Sequence, residues 1–166
     1  MFPPALIATA ESLLATLRAR KLMIATAESC TGGLIAGVLT EIAGSSDVVE
    51  RGFVTYSNEA KNELIGVPMA LIKEHGAVSH EVALAMVAGA LEHSRADVAV
   101  AVTGVAGPGG GSEAKPVGLV HIAVQRRGQA PVHRECRFGD IGRHEIRLAT
   151  VETAFDMIDQ LARTPV

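Results

Sequence analysis

Leu22-Met23-Ile24-Ala25-Thr26-Ala27-Glu28-Ser29-Cys30-Thr31-Gly32-Gly33 sets a short apolar run, a group of reactive side chains and two glycines side by side. Leu22 to Ala27 has the length and the Ile/Thr content of a buried strand. Helical spacing resumes after the turn, over Thr31 to Ile42. The stretch therefore reads as strand, tight loop and helix, the repeating unit of an α/β protein.

The flanking sequence extends that pattern. Upstream, Leu6, Ala10, Leu13, Leu14 and Leu17 recur at helical spacing behind Pro3-Pro4, which suits an amphipathic helix with proline near its start. Downstream, Gly44-Ser45-Ser46-Asp47 breaks the helix, and Val48 to Tyr56 alternates as a strand does. Ser57 or Asn58 caps a short helix, and Gly66-Val67-Pro68 punctuates the chain. Ser79 caps a helix from His80 to about His93 that is apolar on nearly every side and hence mostly buried. Asp97 to Thr103 reads as an interior strand, and the loop from Gly104 to Pro116 carries five glycines and two prolines. Val117 to Arg126 and Val132 to Phe138 form an antiparallel hairpin, and Leu148, Val151, Phe155, Ile158 and Ala162 mark a closing helix. Without linker or repeat, this order predicts one domain over residues 1–166. Its architecture is three-layer α/β/α, a mixed, mostly parallel sheet covered by helices on both faces. In such folds, sites collect where strands end and helices begin.

Composition narrows the function. With 48% hydrophobic and 20% charged residues over 166 positions, the chain has the apolar surface to offset the entropy of folding. A net charge of −3, no Trp, one Tyr and four Phe argue against nucleic acid as a partner, since neither a basic face nor stacking rings are supplied. The apolar runs are too short for a bilayer span and no signal-peptide pattern opens the chain, so a cytoplasmic protein with no membrane partner is expected. Cys30 and Cys136 are expected as reduced thiols.

Three places carry chemistry. Glu28 to Gly33 sets a carboxylate, a hydroxyl, a thiol and backbone N–H groups at a helix N-terminus, where an oxyanion or phosphate is favoured. The same residues also serve as an ordinary N-cap and turn. Gly104 to Ser112 has the composition of a phosphate cradle but no Walker sequence, and a crossover loop reads the same way. Lys61 falls in the first turn of the helix after Tyr56; burial there would lower its pKa and free the amine as a base, whereas a solvated surface lysine is the ordinary outcome. His75, His80, His93, His121, His133 and His144 show no metal spacing and look like surface or helix-end residues.

Taken in order and spacing, five motifs resemble the CinA C-terminal domain family of nicotinamide mononucleotide deamidases. They are Ala27-Glu28-Ser29-Cys30-Thr31-Gly32-Gly33, Gly44-Ser45-Ser46, Val54-Thr55-Tyr56-Ser57-Asn58-Glu59-Ala60-Lys61, Gly76-Ala77-Val78-Ser79 and Thr103-Gly104-Val105-Ala106-Gly107-Pro108. Lys115-Pro116-Val117-Gly118 extends the likeness, which spans about residues 5 to 160. Val105 stands where isoleucine is common. Larger family members carry an added N-terminal domain, so the chain is similar to the stand-alone form.

The resemblance implies hydrolysis of the carboxamide of nicotinamide mononucleotide to nicotinic acid mononucleotide and ammonia, in NAD salvage, by a Ser/Lys pair without cofactor or metal. Ser29 and Ser46 both match family motifs as nucleophile, with Ser29 preferred because the N–H groups after it can form an oxyanion hole. Lys61 is implied as base and then acid, with Tyr56 relaying the proton or holding the amine. For the nucleotide, Glu28 is the candidate partner of the cationic ring; Thr103, Gly104, Gly107 and Arg143 are candidates for ribose and phosphate, Thr31 and Gly32 are further substrate-binding candidates, and with Ser46 as nucleophile Ser29 and Thr31 would bind substrate. Two rivals stand beside this. Cys30 could be the nucleophile, or the chain could be a nucleotide-binding regulatory module without turnover. A homo-oligomer, with a dimer favoured, is expected through the apolar 80–91 helix or the strand edges.

Overall fold

The computed structural model describes residues 1–165. The chain runs α1 (Pro4–Ala19), β1 (Ile24–Glu28), α2 (Leu34–Thr40), β2 (Val49–Val54), α3 (Asn58–Ile65), α4 (Met69–His75), α5 (His80–Glu92), β3 (Val98–Gly104), β4 (Leu119–Arg126), β5 (Val132–Arg137) and α6 (Arg143–Arg163). The strands form a single five-stranded sheet in the order β2-β1-β3-β4-β5. β1 pairs in parallel with β2 and β3, whereas β4 is antiparallel to β3 and β5. All strands but β4 point the same way, which is the mixed, mostly parallel sheet that the sequence predicts.

Alternation along the central strands builds the two outer layers. Val98, Val100 and Val102 of β3 and Val120, Ile122 and Val124 of β4 pack with Leu13 and Leu17 of α1, Ile35 of α2 and Phe155 of α6. The intervening Ala99, Ala101 and Ala123 face Val82, Met86 and Ala90 of α5. Period-two alternation thus gives bulky side chains to one face and alanines to the other, where α5 lies close against the sheet. Burying each Val or Ile fully stabilises the fold by about 1.5–3 kcal/mol relative to exposure.

On its outer side α5 is covered by α3 and α4. A Cβ at Gly89 of α5 would collide with the carbonyl oxygen of Ile65 at the end of α3, so only glycine permits this approach. Most of the apolar surface of α5 is therefore consumed inside the chain, with Leu84 and Ala85 left partly buried.

The element boundaries differ from the sequence reading in ways the backbone explains. α2 begins at Leu34 rather than Thr31, because Gly32 (φ +59°) and Gly33 (φ +100°) adopt left-handed conformations that a right-handed helix cannot contain. α4 has no counterpart in the sequence reading: its Met69-Ala70-Leu71-Ile72 start is uniformly apolar, yet only Ile72 is buried, so no helical period shows.

Because β1, β2 and β3 run in parallel, their carboxyl ends at Glu28, Val54 and Gly104 share one edge of the sheet. From β1 the chain leaves by α2 on one face to reach β2, then returns by α5 on the other face to reach β3. The strand order reverses at β1, and a crevice opens there.

Candidate active site

The crevice is a cleft of about 310 Å³ whose lining includes Ser29, Tyr56, Lys61, Thr103, Gly107 and Arg143. It lies where the chemistry-bearing motifs of the sequence converge, at the ends of β1, β2 and β3.

Lys61 is positioned by the start of α3. Ser57 caps this helix, its side chain accepting the Ala60 N–H at 3.0 Å, and the next residue, Lys61, turns back under the end of β2. Only 1% of its surface is exposed. Its Nζ donates to the Thr55 carbonyl at 2.8 Å and lies 3.0 Å from Ser29 Oγ, with the Tyr56 carbonyl at 3.5 Å. No carboxylate approaches it among the described residues, and burial pushes the ammonium below its ordinary pKa, opposed weakly by the Cys30 thiol. A neutral amine fits these partners well. Its two N–H bonds reach the carbonyls, and its lone pair is left for the Ser29 hydroxyl. The solvated lysine that local sequence allows is thereby excluded.

Ser29 sits on the turn between β1 and α2, held by its own N–H to the Val102 carbonyl at 3.1 Å. Glu28 before it is fully buried, and its carboxylate accepts the N–H groups of Gly33, Ile35 and Ala36 at 3.1, 3.0 and 2.9 Å. It therefore neutralises the N-terminus of α2, where backbone donors lack helical partners. The N–H groups of Gly32, Leu34 and Gly37 bond to carbonyls of the turn. From Ser29 to Gly37, only the N–H groups of Cys30 and Thr31 find no acceptor in another described residue; Cys30 lines the cleft, whereas Thr31 is fully buried. A backbone donor on the cleft wall directly after the Ser29 hydroxyl is the kind of group that oxyanion stabilisation requires.

The sequence model of the CinA C-terminal domain matches residues 6–162. The chain belongs to that family. It is similar to the competence/damage inducible protein CihA of Agrobacterium tumefaciens, whose crystal structure superposes with a TM-score of 0.96 at 56% identity, over 98% of this chain and 99% of that one. It is also 56% identical to the nicotinamide-nucleotide amidohydrolase PncC of Escherichia coli K12 over 125 residues, 75% of this chain and 76% of that one. A putative competence-damage inducible protein of Caldicellulosiruptor bescii is 56% identical over 114 residues, 69% of this chain but only 28% of that longer relative.

Within this CinA domain, several residues expected at the site stand elsewhere or act differently. Ser46 lies in the exposed 3-10 turn Ser45–Asp47 that leads into β2, at the amino edge of the sheet. The length of a strand, roughly 17 Å, separates it from the cleft. The Glu28 carboxylate is taken up by the three N–H groups at the start of α2 rather than facing the cleft lining. Tyr56 is 59% exposed; its carbonyl faces Lys61, while its hydroxyl accepts from Arg143 Nη2 at 3.1 Å, so the phenol does not hold the amine. Cys30 carries a thiol pushed up to about 11, chiefly by burial, which keeps it protonated and unreactive at neutral pH.

Thr103 lines the cleft, but its hydroxyl donates to the Ala77 carbonyl at 2.8 Å. Thr31 is fully buried with its hydroxyl unpaired. Gly104 and Gly107 lie on the cleft wall. A Cβ on Gly104 would come within 2.8 Å of the Leu119 carbonyl, and one on Gly107 within 2.6 Å of Val117, so both glycines let the loop pack closely against β4 and its approach. Arg143, the first residue of α6, bridges the Gly107 carbonyl at 2.8 Å and the Tyr56 hydroxyl. Three of its five N–H donors stay available.

Two features escaped the sequence reading. Arg147 of α6 reaches the β1–α2 turn from far along the chain, and no local pattern announces it. Three histidines also meet away from the cleft. His121 Nδ1 lies 2.9 Å from His133 Nε2, and His80 packs edge-on to His133 with centroids 4.5 Å apart. Burial holds both His121 and His133 below their ordinary pKa. Among the described residues no group of three or more His, Cys, Asp or Glu side chains is arranged to hold a metal ion.

Proposed function

We propose that the chain is a nicotinamide-nucleotide amidohydrolase that converts nicotinamide mononucleotide and water to nicotinic acid mononucleotide and ammonia, with Ser29 as nucleophile and Lys61 as the general base and acid. The buried Lys61–Ser29 contact at 3.0 Å carries this reading. Its support in kind is the likeness to the PncC amidohydrolase of E. coli.

The steps follow from the geometry. Ser29 Oγ attacks the carboxamide carbon as its proton passes to the neutral Lys61 amine. The Cys30 N–H, on the cleft wall directly after Ser29, receives the oxyanion. Lys61, now an ammonium, protonates the departing nitrogen, and ammonia leaves an ester on Ser29. Water attacks that ester with Lys61 again taking the proton; collapse returns the proton to Ser29 and frees the carboxylate. No step calls for a metal or cofactor. Arg143 at the cleft mouth, with the loop from Gly104 to Gly110, is assigned to the phosphate, since a guanidinium with free donors suits that dianion. Glu28 has no part in binding.

The proposal extends to a cytoplasmic enzyme of NAD salvage that acts as a homodimer. Among the described residues no helix is long and apolar enough to cross a membrane. The exposed edge of β2 and the exposed side chains of Val54, Leu64 and Met69 are the surface a second copy would cover.

Ammonia release and nicotinic acid mononucleotide formation, measured on wild type and Lys61→Ala, test the function. Turnover by wild type alone is expected. Binding of the nucleotide without turnover would establish the regulatory-module alternative in its place.

A further inference from the structure

We infer that Lys115 is a positioning residue for nucleotide binding, a strap that ties the glycine-rich loop to the α4–α5 turn and so fixes two stretches of the cleft wall relative to each other. It rests on the amidohydrolase reading above and gives a role to two motifs outside the catalytic pair, Gly76–Ser79 and Lys115–Gly118.

The turn from Gly76 to Ser79 joins α4 to α5, and its Ala77 and Val78 line the cleft. Three successive carbonyls, of His75, Gly76 and Ala77, each accept from a different side chain. Lys115 Nζ donates to the first at 2.6 Å, Ser79 Oγ to the second at 2.8 Å and Thr103 Oγ1 to the third at 2.8 Å. Ser79 caps α5 and Thr103 lies on β3, whereas Lys115 comes from the loop.

The ammonium suits its place. His75 ends α4, where carbonyls lack helical partners and a cation is favoured. Lys115 is half-buried and pairs with no carboxylate among the described residues, so its charge is directed at that carbonyl rather than at an ion pair. A Cβ on Gly76 would stand 2.5 Å from Lys115 Nζ, so the ammonium lies directly against the glycine.

On the loop side the backbone of Lys115 is equally fixed. Its N–H donates to Ser112 Oγ at 3.0 Å, and its carbonyl accepts the Ser112 N–H at 2.9 Å. Arg143 holds the other end of the loop at the Gly107 carbonyl. Between these anchors Pro108 to Gly111 are all exposed, and Gly109 and Gly110 line the cleft. Even with an added Cβ neither of these two glycines would meet an atom closer than 4.0 Å, so the arc has little packing of its own and its position is set by the anchors. Lys115 is absent from the cleft lining and acts on the nucleotide through the loop assigned to the phosphate.

A loop that holds its binding position only part of the time weakens apparent affinity in proportion, while the complex once formed reacts as before. Loss of the strap therefore shows in KM and not in kcat. Lys115→Met and Lys115→Arg are compared with wild type in nicotinamide mononucleotide hydrolysis, with thermal melts as the check on folding. KM is expected to rise about tenfold in Lys115→Met, the effect of a loop in place one-tenth of the time, with kcat within about twofold. Lys115→Arg, charged and long enough to reach the same carbonyl, recovers most of the wild-type KM. An unchanged KM in Lys115→Met, or a loss carried mainly by kcat, overturns the inference while leaving the amidohydrolase reading intact. A merely structural lysine gives that second pattern, because a smaller folded fraction lowers kcat at constant KM. Absence of hydrolysis by wild type overturns the amidohydrolase reading, and calorimetric titration with nicotinamide mononucleotide then judges the strap. Binding about tenfold weaker in Lys115→Met supports it, and equal binding, or none by wild type, overturns it. Should Lys115→Met fail to fold, Lys115→Gln, with a shorter and uncharged donor, decides on the same KM criterion.

Discussion

The Lys61 amine meets the Ser29 hydroxyl at 3.0 Å in a pocket where, among the described residues, the lysine has two backbone carbonyls and no carboxylate for company. Such surroundings stabilise the ammonium poorly, and burial lowers its pKa from 10.5. With the neutral amine as the proposed base, kcat/KM should rise with pH through a midpoint below 10.5. Lys61→Met should abolish that limb and reduce kcat by about 1000-fold. The effect on stability has the opposite sign. The folded state binds fewer protons than the unfolded one between the lowered pKa and 10.5, so stability rises with pH across that window, and the full penalty applies below it. Thermal melts at neutral pH should therefore show Lys61→Met at least as stable as wild type; a large loss of Tm would contradict the buried-ammonium penalty.

Ser29 and Ser46 separate cleanly by position. Ser29→Ala removes the hydroxyl that faces Lys61 and should lower kcat by about 1000-fold or more. Ser46→Ala alters an exposed turn at the far edge of the sheet and should leave both kcat and KM within about twofold. Equal losses in the two variants, measured by steady-state kinetics, would sink the assignment of Ser29.

Cys30 tests the thiol alternative. With a pKa near 11, roughly one molecule in ten thousand carries the thiolate at neutral pH. Iodoacetamide at neutral pH should leave activity intact over hours, and Cys30→Ala should retain kcat within about threefold. Rapid inactivation matched by mass-detected alkylation of Cys30 would reverse this.

What the sequence disclosed depended on whether the signal was local. The strand–turn–helix at Glu28 to Gly33 was legible because glycine punctuation and apolar length are properties of neighbouring residues. Ser57 and Ser79 were recognisable as helix caps for the same reason. The Lys61–Ser29 pair was implied by family likeness and could not come from spacing, since β1 and α3 converge only through the sheet register. Glu28 is a substrate-binding candidate in sequence because a carboxylate beside a hydroxyl and a thiol draws attention, and only the fold reveals that α2's own N–H groups surround it. Ser46 stood beside Ser29 as a candidate through motif order, which carries no information about which edge of a sheet a turn occupies. Arg147 was hidden because it joins segments distant in sequence, whereas His121 and His133 lie on the two strands of the expected hairpin and meet through a strand register that the turn residues alone do not fix.

Glu28 offers the sharpest separation between a structural and a binding role. Three N–H donors converge on its buried carboxylate, and Glu28→Gln would replace one accepting oxygen by an NH2 group that opposes a donor. Hydrogen bonds to a buried charge contribute about 1.5–3 kcal/mol each, so the variant should lose several degrees of Tm. Because α2 and the Ser29 turn are held by the same bonds, kcat should fall as well, while KM for the nucleotide stays near wild type. A Glu28 that instead faced the cationic ring would give the reverse pattern: an unaltered melt and a raised KM. Melting curves and Michaelis parameters on this single variant distinguish the two, and the three-fold capping geometry commits the carboxylate to the first outcome.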